Sequence, residues 1–418
     1  MRNQPSFLHE VYDFSGTPYE IGYQRGKLTA DYVRKNVQTL SVGNPYYGAK
    51  PTPEQYNLDY LKANYPAQHK KWEATLAKAP EWLREEARGL AEGAGGPLEK
   101  VLIMGDMLPF FLRSEIDAGH KAILDGDCNG FVAYGDATVG GRVLVGGNSE
   151  GSHAGIRYLS VIRVKNKTGN SYVQQSHFNR GLGVGQAGMN EKGVCIFGSG
   201  VSVKHEFWGD VGYRIMIRRK VLQDADSVDD AIDIFKEGPL MGGQHMYVGD
   251  TKRAVHIEHT GRDIEVIDPE CGFDAGSSPY FSSPRMQPFC DVMVDETNPD
   301  FTFHFAKKRG VFRMERYHEL FQMKKPLSLE VIPSMTGDHG GRGTGLVQEH
   351  IEGACPQGSD YTICAHGTAG HGSEGPQGQS GSFHANAWSV IHVPDQRKMY
   401  MAFGNPCEAG YVPFHPPK

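Results

Sequence analysis

The chain has 418 residues and a net charge of −6, and its basic residues are scattered, so no basic surface predicts nucleic-acid binding. Its amino-terminal sequence lacks an apolar run long enough for a signal peptide or a membrane span, which predicts a cytoplasmic protein without membrane contact. The seven cysteines include no C-x-x-C pair, so we expect reduced thiols, no metal site and no cofactor.

The first 127 residues are expected to be mainly helical. Apolar residues recur at helical spacing from Pro53 to Gly95, where a glycine cluster ends the last helix. After Cys128, runs rich in β-branched residues predict the strands GRVLVGG, RYLSVIRVK and SYVQQSH. The stretch GQAGMNEKGVCIFGSG predicts a hairpin with its turn at Asn190 to Gly193.

Two helices are predicted next, GYRIMIRRKVLQ and SVDDAIDIFKEG, with Ser227 as the N-cap of the second. Two further hairpins follow, HMYVGDTKRAVHIEHT and AWSVIHVPDQRKMYMAFG, and the glycine- and histidine-rich stretch from Pro333 to Phe383 between them is expected to be a long loop. Antiparallel strand pairs interrupted by helices predict an α+β layered fold rather than a doubly wound one.

Three motifs suggest chemistry that their contexts do not favour. GLGVGQAG, Gly181 to Gly188, precedes a hairpin, whereas a dinucleotide-binding loop must open a helix. GNSEG places Ser149 in a G-x-S-x-G pattern, but the nucleophile elbow needs a helix directly afterwards, so a serine hydrolase is the weaker alternative. His339, His366 and His371 have no recognised metal-ligand spacing, and solvated loop histidines are the simpler interpretation.

Cys128 is the remaining candidate nucleophile, although most free cysteines are simply small buried apolar residues. If the bond between Asp127 and Cys128 is cut, the new α-amine, with a pKa of about 7.7–8.0, becomes a base close to a thiol with a pKa of about 8.5. One residue then supplies both the nucleophile and the base. On chemistry alone, a structural cysteine remains the more probable interpretation.

Several segments, in order, resemble the isopenicillin N acyltransferase family of cysteine N-terminal-nucleophile (Ntn) hydrolases. The segments are GTPYEIGYQRG, EEARGLAEGAGG, DGDCNGF, GGNSE, GVGQAGMNEKGV and AFGNPCEAGYVPF, and together they extend over most of the chain. The resemblance implies a four-layer αββα sandwich and a precursor that cuts itself before the cysteine. It implies a mainly helical segment 1–127 and a β-rich catalytic segment 128–418, which together form one domain and associate as an αβ heterodimer, with a higher oligomer as an open alternative.

By the family pattern, Cys128 is the nucleophile, and Glu150 occupies the place of a family aspartate, two residues after Asn148. A carboxylate there would orient the α-amine of the cut chain by a charge-assisted hydrogen bond. Without the family, an exposed carboxylate at a strand end is an equally good interpretation of Glu150.

Two departures from the family pattern affect the expected oxyanion hole and substrate contacts. Ser283, with Arg285 nearby, stands where the family has an asparagine, and Ala365 stands where it has a basic residue. Losing one oxyanion donor typically costs about 10²–10³ in rate, and Gln244 and His245 are candidates to compensate.

The resemblance therefore implies a hydrolase that cleaves a non-peptide or N-acyl amide bond of a small molecule through an acyl-enzyme. Transfer of the acyl group to an amine is the close alternative, because both reactions share that intermediate. A non-catalytic member of the fold is the third alternative, since Ser283 and Ala365 depart from the family pattern.

Overall fold

The structure, a computed structural model, describes residues 10–39, 62–63, 66–96, 128–152, 159–177, 185–201, 203–207, 209, 216–290, 301–340, 362–365 and 384–418. Two β-sheets and seven α-helices account for most of these residues. The helices are α1 (Pro18–Thr39), α2 (Pro66–Ala77), α3 (Glu81–Ala94), α4 (Met216–Asp224), α5 (Val228–Glu237), α6 (Phe301–Lys324) and α7 (Ile332–Thr336).

The larger sheet has eight strands and is antiparallel except at one end. Its strands are β1 (Val11–Gly16), β4 (Leu159–Asn166), β5 (Tyr172–His177), β6 (Ala187–Asn190), β7 (Cys195–Val201), β8 (Gly243–Gly249), β9 (Ala254–His259) and β10 (Ile264–Ile267), in this spatial order. At the β1 end, β1 pairs in parallel with β4. Consecutive strands from β4 to β10 are spatial neighbours, and between β7 and β8 the chain passes through α4 and α5.

The smaller sheet has six antiparallel strands and contains the segment after Cys128. Its strands are β11 (Phe273–Ser277), β2 (Asn129–Gly135), β3 (Gly141–Ser152), β12 (His384–Val393), β13 (Lys398–Phe403) and β14 (Val412–Phe414), in spatial order. The strand β2 therefore has hydrogen-bonded partners on both sides, β11 and β3.

Three apolar layers show that the molecule is the four-layer αββα sandwich expected from the sequence. One layer packs α4 and α5 against the larger sheet, and it includes Val221 of α4 and Phe235 of α5. The middle layer lies between the sheets and includes Phe197 and Trp388. The third joins the smaller sheet to α6 and α7, where Phe321 belongs to α6. Each sheet thus buries both faces, which removes apolar area from water on either side.

The helices α1 and α3 touch backbone to backbone through glycines. A Cβ atom added to Gly22 would lie 2.1 Å from the Glu86 carbonyl oxygen, and one added to Gly26 would lie 2.3 Å from that of Leu90. Glu86 is buried at this contact and pairs with Arg25 at 2.6 Å and with Arg219 of α4 at 2.7 Å. The amino-terminal helices are therefore attached to the rest of the molecule by a buried charge network.

Several local predictions are confirmed. The Ser227 side chain caps α5 by accepting a hydrogen bond from the Asp230 amide, and Gly95 ends α3 in a left-handed conformation. The β6–β7 hairpin turns between Asn190 and Gly193, as predicted.

One prediction needs correction, because the expected loop from Pro333 to Phe383 begins inside the helix α7. Residues 341–361 and 366–383 of that stretch lie outside the described residues. Among the helices of the described ranges, none is long and apolar enough to cross a membrane.

Candidate functional site

Cys128 lies directly before β2 and is 3% exposed. Successive side chains of a strand point to opposite faces. Val132 belongs to the apolar layer between the sheets, whereas Phe131 packs in the layer against α6. Cys128 therefore points between the sheets, and the side chain of Asn129 points toward α6.

The thiol of Cys128 belongs to a short hydrogen-bonded chain. Its sulfur donates to the Ser149 hydroxyl oxygen over 3.7 Å, and that hydroxyl donates to the side-chain oxygen of Gln186 at 2.6 Å. Burial, and next the negative charge of Glu150, raise the pKa of the Cys128 thiol to about 11. In the uncut chain the thiol is therefore protonated at neutral pH and is a poor nucleophile.

Glu150 lies in β3 with its side chain fully buried, so it is not the exposed strand-end carboxylate considered above. Its carboxylate accepts a hydrogen bond from the side-chain nitrogen of Asn129 at 2.8 Å. It also pairs with the guanidinium of Arg313, on α6, at 3.4 Å. Asn129 in turn accepts a hydrogen bond from the Tyr317 hydroxyl at 2.8 Å. The carboxylate is thus fixed by neighbours that belong to β2 and α6.

Asn148 is fully buried, and its side chain donates hydrogen bonds to backbone carbonyl groups. Its amide nitrogen donates to the Ile363 carbonyl at 2.8 Å and to the Thr336 carbonyl at 2.9 Å. Since β3 pairs with β2, the structure brings Asn148 and Glu150 to the strand beside Cys128. Asp127, the other half of the expected cleavage site, lies outside the described residues.

Ser283 and Arg285 belong to a separate polar cluster near β10. The Ser283 hydroxyl donates to the Glu265 carboxylate at 2.5 Å and accepts a hydrogen bond from the Arg285 amide at 3.2 Å. The Arg285 side chain is half exposed, donates to the Ile264 carbonyl at 2.9 Å, and lies 3.7 Å from the Glu265 carboxylate. An oxyanion role for Ser283 would require its hydroxyl to leave Glu265, so that role stays a prediction.

Gln244 and His245 are adjacent on β8 and are fully buried. The Gln244 side-chain oxygen accepts a hydrogen bond from Arg218 of α4. Side chains of adjacent residues point to opposite faces of a strand, so one of the pair faces the helices and the other faces the smaller sheet. Since Gln244 contacts α4, His245 faces the space between the two sheets, as the Cys128 side chain does.

The serine-hydrolase alternative does not match the geometry around Ser149. The strand β3 continues past Ser149 to Ser152, whereas a nucleophile elbow turns directly into a helix. The Ser149 hydroxyl serves as the hydrogen-bond partner of Cys128.

Of the three loop histidines considered as metal ligands, His366 and His371 lie outside the described residues. A ring nitrogen of His339 and the sulfurs of Cys364 and Cys407 all lie within 4.8 Å of one another.

Position 365, where the sequence departs from the family, contributes its backbone to the site region. The Ala365 amide donates to the side-chain oxygen of Asn386, a buried residue of β12 whose Cα pairs with that of Glu150. The Asn386 side-chain nitrogen makes no hydrogen bond within the described part of the chain.

Sequence reasoning did not identify Arg313, Tyr317 or Asn386 as residues of this region. Arg313 is 163 positions from Glu150 along the chain by residue number, and no local pattern links the two. Asn129, by contrast, directly follows Cys128 in the segment DGDCNGF, so its position could have drawn attention to it.

One segment of the chain matches the sequence model of a known family. Residues 157–271 match the sequence model of the acyl-coenzyme A:6-aminopenicillanic acid acyl-transferase family. An uncharacterized protein of Archaeoglobus fulgidus is 27% identical over 263 residues, which cover 57% of this chain; the chain spans only 40% of the length of that relative.

Two solved structures are also similar in part. A mutant of the conjugated bile acid hydrolase from Clostridium perfringens has 13% identity and a TM-score of 0.37, covering 70% of this chain and 97% of its own. The Caenorhabditis elegans ortholog of N-acylethanolamine-hydrolyzing acid amidase has 12% identity and a TM-score of 0.33, covering 64% and 93%. The match of residues 157–271 confirms the resemblance of this chain to the acyl-coenzyme A:6-aminopenicillanic acid acyl-transferase family.

Proposed function

We propose that this chain is an amide hydrolase of the N-terminal-nucleophile type, in which Cys128 attacks an N-acyl amide of a small molecule. The observation that carries the proposal is the setting of Cys128, a buried cysteine directly before an inner strand, whose thiol donates a hydrogen bond to Ser149 and lies within the field of the buried Glu150 carboxylate. The family match over residues 157–271 supports amide or acyl chemistry.

The first step proposed is self-cleavage. The Cys128 sulfur attacks the carbonyl carbon of Asp127, the carbon–nitrogen bond breaks, and the nitrogen takes the thiol proton, which leaves a thioester. Water then hydrolyses the thioester to the Asp127 carboxylate and the Cys128 thiol, with the α-amine of Cys128 now free.

The raised pKa of the Cys128 thiol gives a physical reason why cleavage would be needed before turnover. The negative field of Glu150 disfavours a thiolate, and the same field favours an ammonium group beside it. A free α-amine could thus accept the thiol proton and remain charged next to Glu150, which supplies the base that the uncut site lacks. We propose Glu150 as the positioning carboxylate for that ammonium.

In turnover, the thiol proton passes to the α-amine while the sulfur attacks the substrate carbonyl. The amine of the substrate leaves with that proton, and water releases the acyl group from sulfur. Acyl transfer is the second candidate, favoured by the name of the matching family, and it differs only in that an amine replaces water in the last step.

The test is intact-mass analysis and amino-terminal sequencing of wild type, Cys128→Ala and Cys195→Ala, together with release of amine from a set of N-acyl amides. Cys195 is a matched control, because it is also buried with a raised pKa but lies on β7. We expect fragments 1–127 and 128–418 in wild type and Cys195→Ala, and one inactive chain in Cys128→Ala.

An intact and active wild type would refute the mechanism, and an active Cys128→Ala would refute the choice of nucleophile. Adding an amine acceptor separates the two reactions. Under hydrolysis only free acid forms at every acceptor concentration, whereas under transfer a new amide forms and the ratio of free acid to new amide falls as acceptor increases.

A further inference from the structure

Two buried histidines face each other between the sheets. His245 Nδ1 lies 2.9 Å from His256 Nε2, and both side chains are fully buried. The outer nitrogen of each ring is already engaged. His245 Nε2 lies 3.1 Å from the Tyr280 carbonyl oxygen, and His256 Nδ1 lies 2.6 Å from the Asp274 carboxylate.

These outer partners fix where the ring protons are. A carbonyl oxygen and a carboxylate accept hydrogen bonds, so the proton of each neutral ring is on its outer nitrogen. The inner nitrogens, Nδ1 of His245 and Nε2 of His256, then present lone pairs to each other. Two lone pairs at this distance repel unless a proton or a metal cation lies between them.

A carboxylate joins the two inner nitrogens. Glu258 Oε1 lies 3.3 Å from His245 Nδ1 and 4.0 Å from His256 Nε2. In a tetrahedral zinc site with bonds of about 2.0–2.2 Å, ligand atoms stand about 3.3–3.6 Å apart. The three separations in the protein, 2.9, 3.3 and 4.0 Å, bracket this value, so small side-chain movements would complete the geometry.

A fourth polar atom faces the same region. A Cβ atom added to Gly276 would lie 2.8 Å from the Tyr247 hydroxyl oxygen and 2.9 Å from His245 Nδ1 and His256 Cε1. These groups therefore surround one small space that any side chain at position 276 would fill. The Tyr247 hydroxyl is fully buried and makes no hydrogen bond to another group of the described residues.

The charge of the region favours a cation. Glu258 lies beside His245, and Asp274 lies against His256, so two carboxylates flank the histidine pair. A divalent ion between the rings would balance both carboxylates.

We propose that His245, His256 and Glu258 bind one zinc ion, with the Tyr247 hydroxyl placed to complete the coordination. Two histidines and a carboxylate are a common zinc ligand set. Asp274 and Tyr280 hold the rings, as such ligands need. Ser282 donates from its amide at 2.6 Å and its hydroxyl at 2.5 Å to Glu258 Oε1, so that oxygen must give up one of these hydrogen bonds to bind the ion.

Such an ion would lie on the face of the larger sheet that packs against β11 and β2. The three ligands belong to β8 and β9, whereas Asp274 and Gly276 belong to β11, which pairs with β2. Tyr247 also packs under β2, since a Cβ on Gly130 would lie 2.5 Å from its ring. The proposed role is structural, and it does not depend on the proposed amide hydrolysis.

The test measures metal binding on full-length protein that has been treated with EDTA and then equilibrated with Zn²⁺ or Co²⁺. We expect one bound equivalent by elemental analysis, visible cobalt absorption of a tetrahedral site without a sulfur-to-cobalt band, and a melting temperature that rises with Zn²⁺. His256→Gln and Glu258→Gln should lose that equivalent. Asp274→Asn, which leaves all ligands in place, should weaken binding about 10- to 100-fold.

Two controls make the assignment specific. His392→Gln removes a buried histidine outside the cluster, on β12, and should keep the metal. Cys407→Ser removes the sulfur next to His339 and Cys364 and should also keep it. Loss of the metal in Cys407→Ser with retention in His256→Gln would overturn the proposal. So would wild type that binds no metal and shows one doubly protonated imidazole by ¹⁵N NMR, because a proton then lies between the rings.

Discussion

The buried pair of Glu150 and Arg313 makes Glu150→Gln a demanding test of the site. Both side chains are fully buried and lie 3.4 Å apart. At an effective dielectric constant of about 20, two unit charges at that distance attract by about 5 kcal/mol. The substitution keeps the size of the side chain and removes its charge, so the buried Arg313 guanidinium loses its attraction to the Glu150 carboxylate.

Removing one partner of a buried ion pair typically costs about 3–5 kcal/mol. The Asn129 amide loses its charged acceptor in the same variant, and Arg313 keeps its hydrogen bond to the Thr362 carbonyl at 2.9 Å. With an unfolding entropy of about 2.1 cal/mol/K per residue, this loss lowers the melting temperature by about 3–6 °C. The result differs from the small effect expected of an exposed strand-end carboxylate.

The assay is urea and thermal unfolding of wild type, Glu150→Gln, Arg313→Met and the double variant. We expect the double variant to recover most of the loss, because it leaves no buried charge unbalanced. Asp13→Asn is the matched control: it breaks the exposed pair with Arg163, which should change stability by about 0–1 kcal/mol. A Glu150→Gln protein as stable as Asp13→Asn would refute the reasoning.

The same variant tests the proposed role of Glu150 in turnover. A hydrogen bond to a charged group contributes about 1.5–3 kcal/mol. Its loss corresponds to a rate reduction of about 10- to 150-fold. The acid limb of the pH–rate profile should move to lower pH, because the ammonium loses its stabilising partner and the α-amine becomes available as a base at lower pH. A normal rate and profile in folded Glu150→Gln would remove Glu150 from the mechanism.

Two further predictions concern the fold. Burial lowers the pKa of His392 to about 3, whereas an unfolded histidine titrates at about 6.5, so the stability from its neutral ring is complete above about pH 6.5 and is lost as pH falls toward 3. The urea midpoints measured at pH 7 and pH 4.5 should therefore differ less in His392→Gln than in wild type. An equal difference in the two proteins would contradict this reasoning. Gly26→Ala should lower the free energy of unfolding by about 1–3 kcal/mol in urea, because its Cβ would lie 2.3 Å from the Leu90 carbonyl oxygen. Gly96→Ala, whose Cβ meets no atom within 4 Å, is the control. Equal stability of the two variants would show that α1 can move away from α3 without cost.

Local patterns predicted the parts of the fold that depend on near neighbours. The Ser227 cap and the Asn190–Gly193 turn each satisfy backbone groups within a few residues, so their sequence signals are self-contained. The layer order came from the family resemblance. The parallel pairing of β1 with β4 was not predicted, because no local pattern identifies a strand partner so distant in sequence.

The candidate site was predictable only in its central strands. Cys128, Asn148 and Glu150 lie in motifs on two paired strands, whereas Arg313 reaches Glu150 from a helix across the third apolar layer. Ser283 was predicted as an oxyanion donor by its place in the family pattern. In the structure its hydroxyl donates a hydrogen bond to Glu265, 18 positions earlier in the chain. Sequence order did not reveal this competition for the hydroxyl.

The position of β1 at the end of the larger sheet bears on the order of folding and the proposed cleavage. If residues 128–418 folded alone, β4 would become an edge strand with unpaired backbone groups, which favour aggregation. In one chain, β1 meets β4 at the high effective concentration that a covalent connection provides, whereas two separate fragments would meet only by diffusion. If the proposed cleavage occurs, this topology favours folding before it.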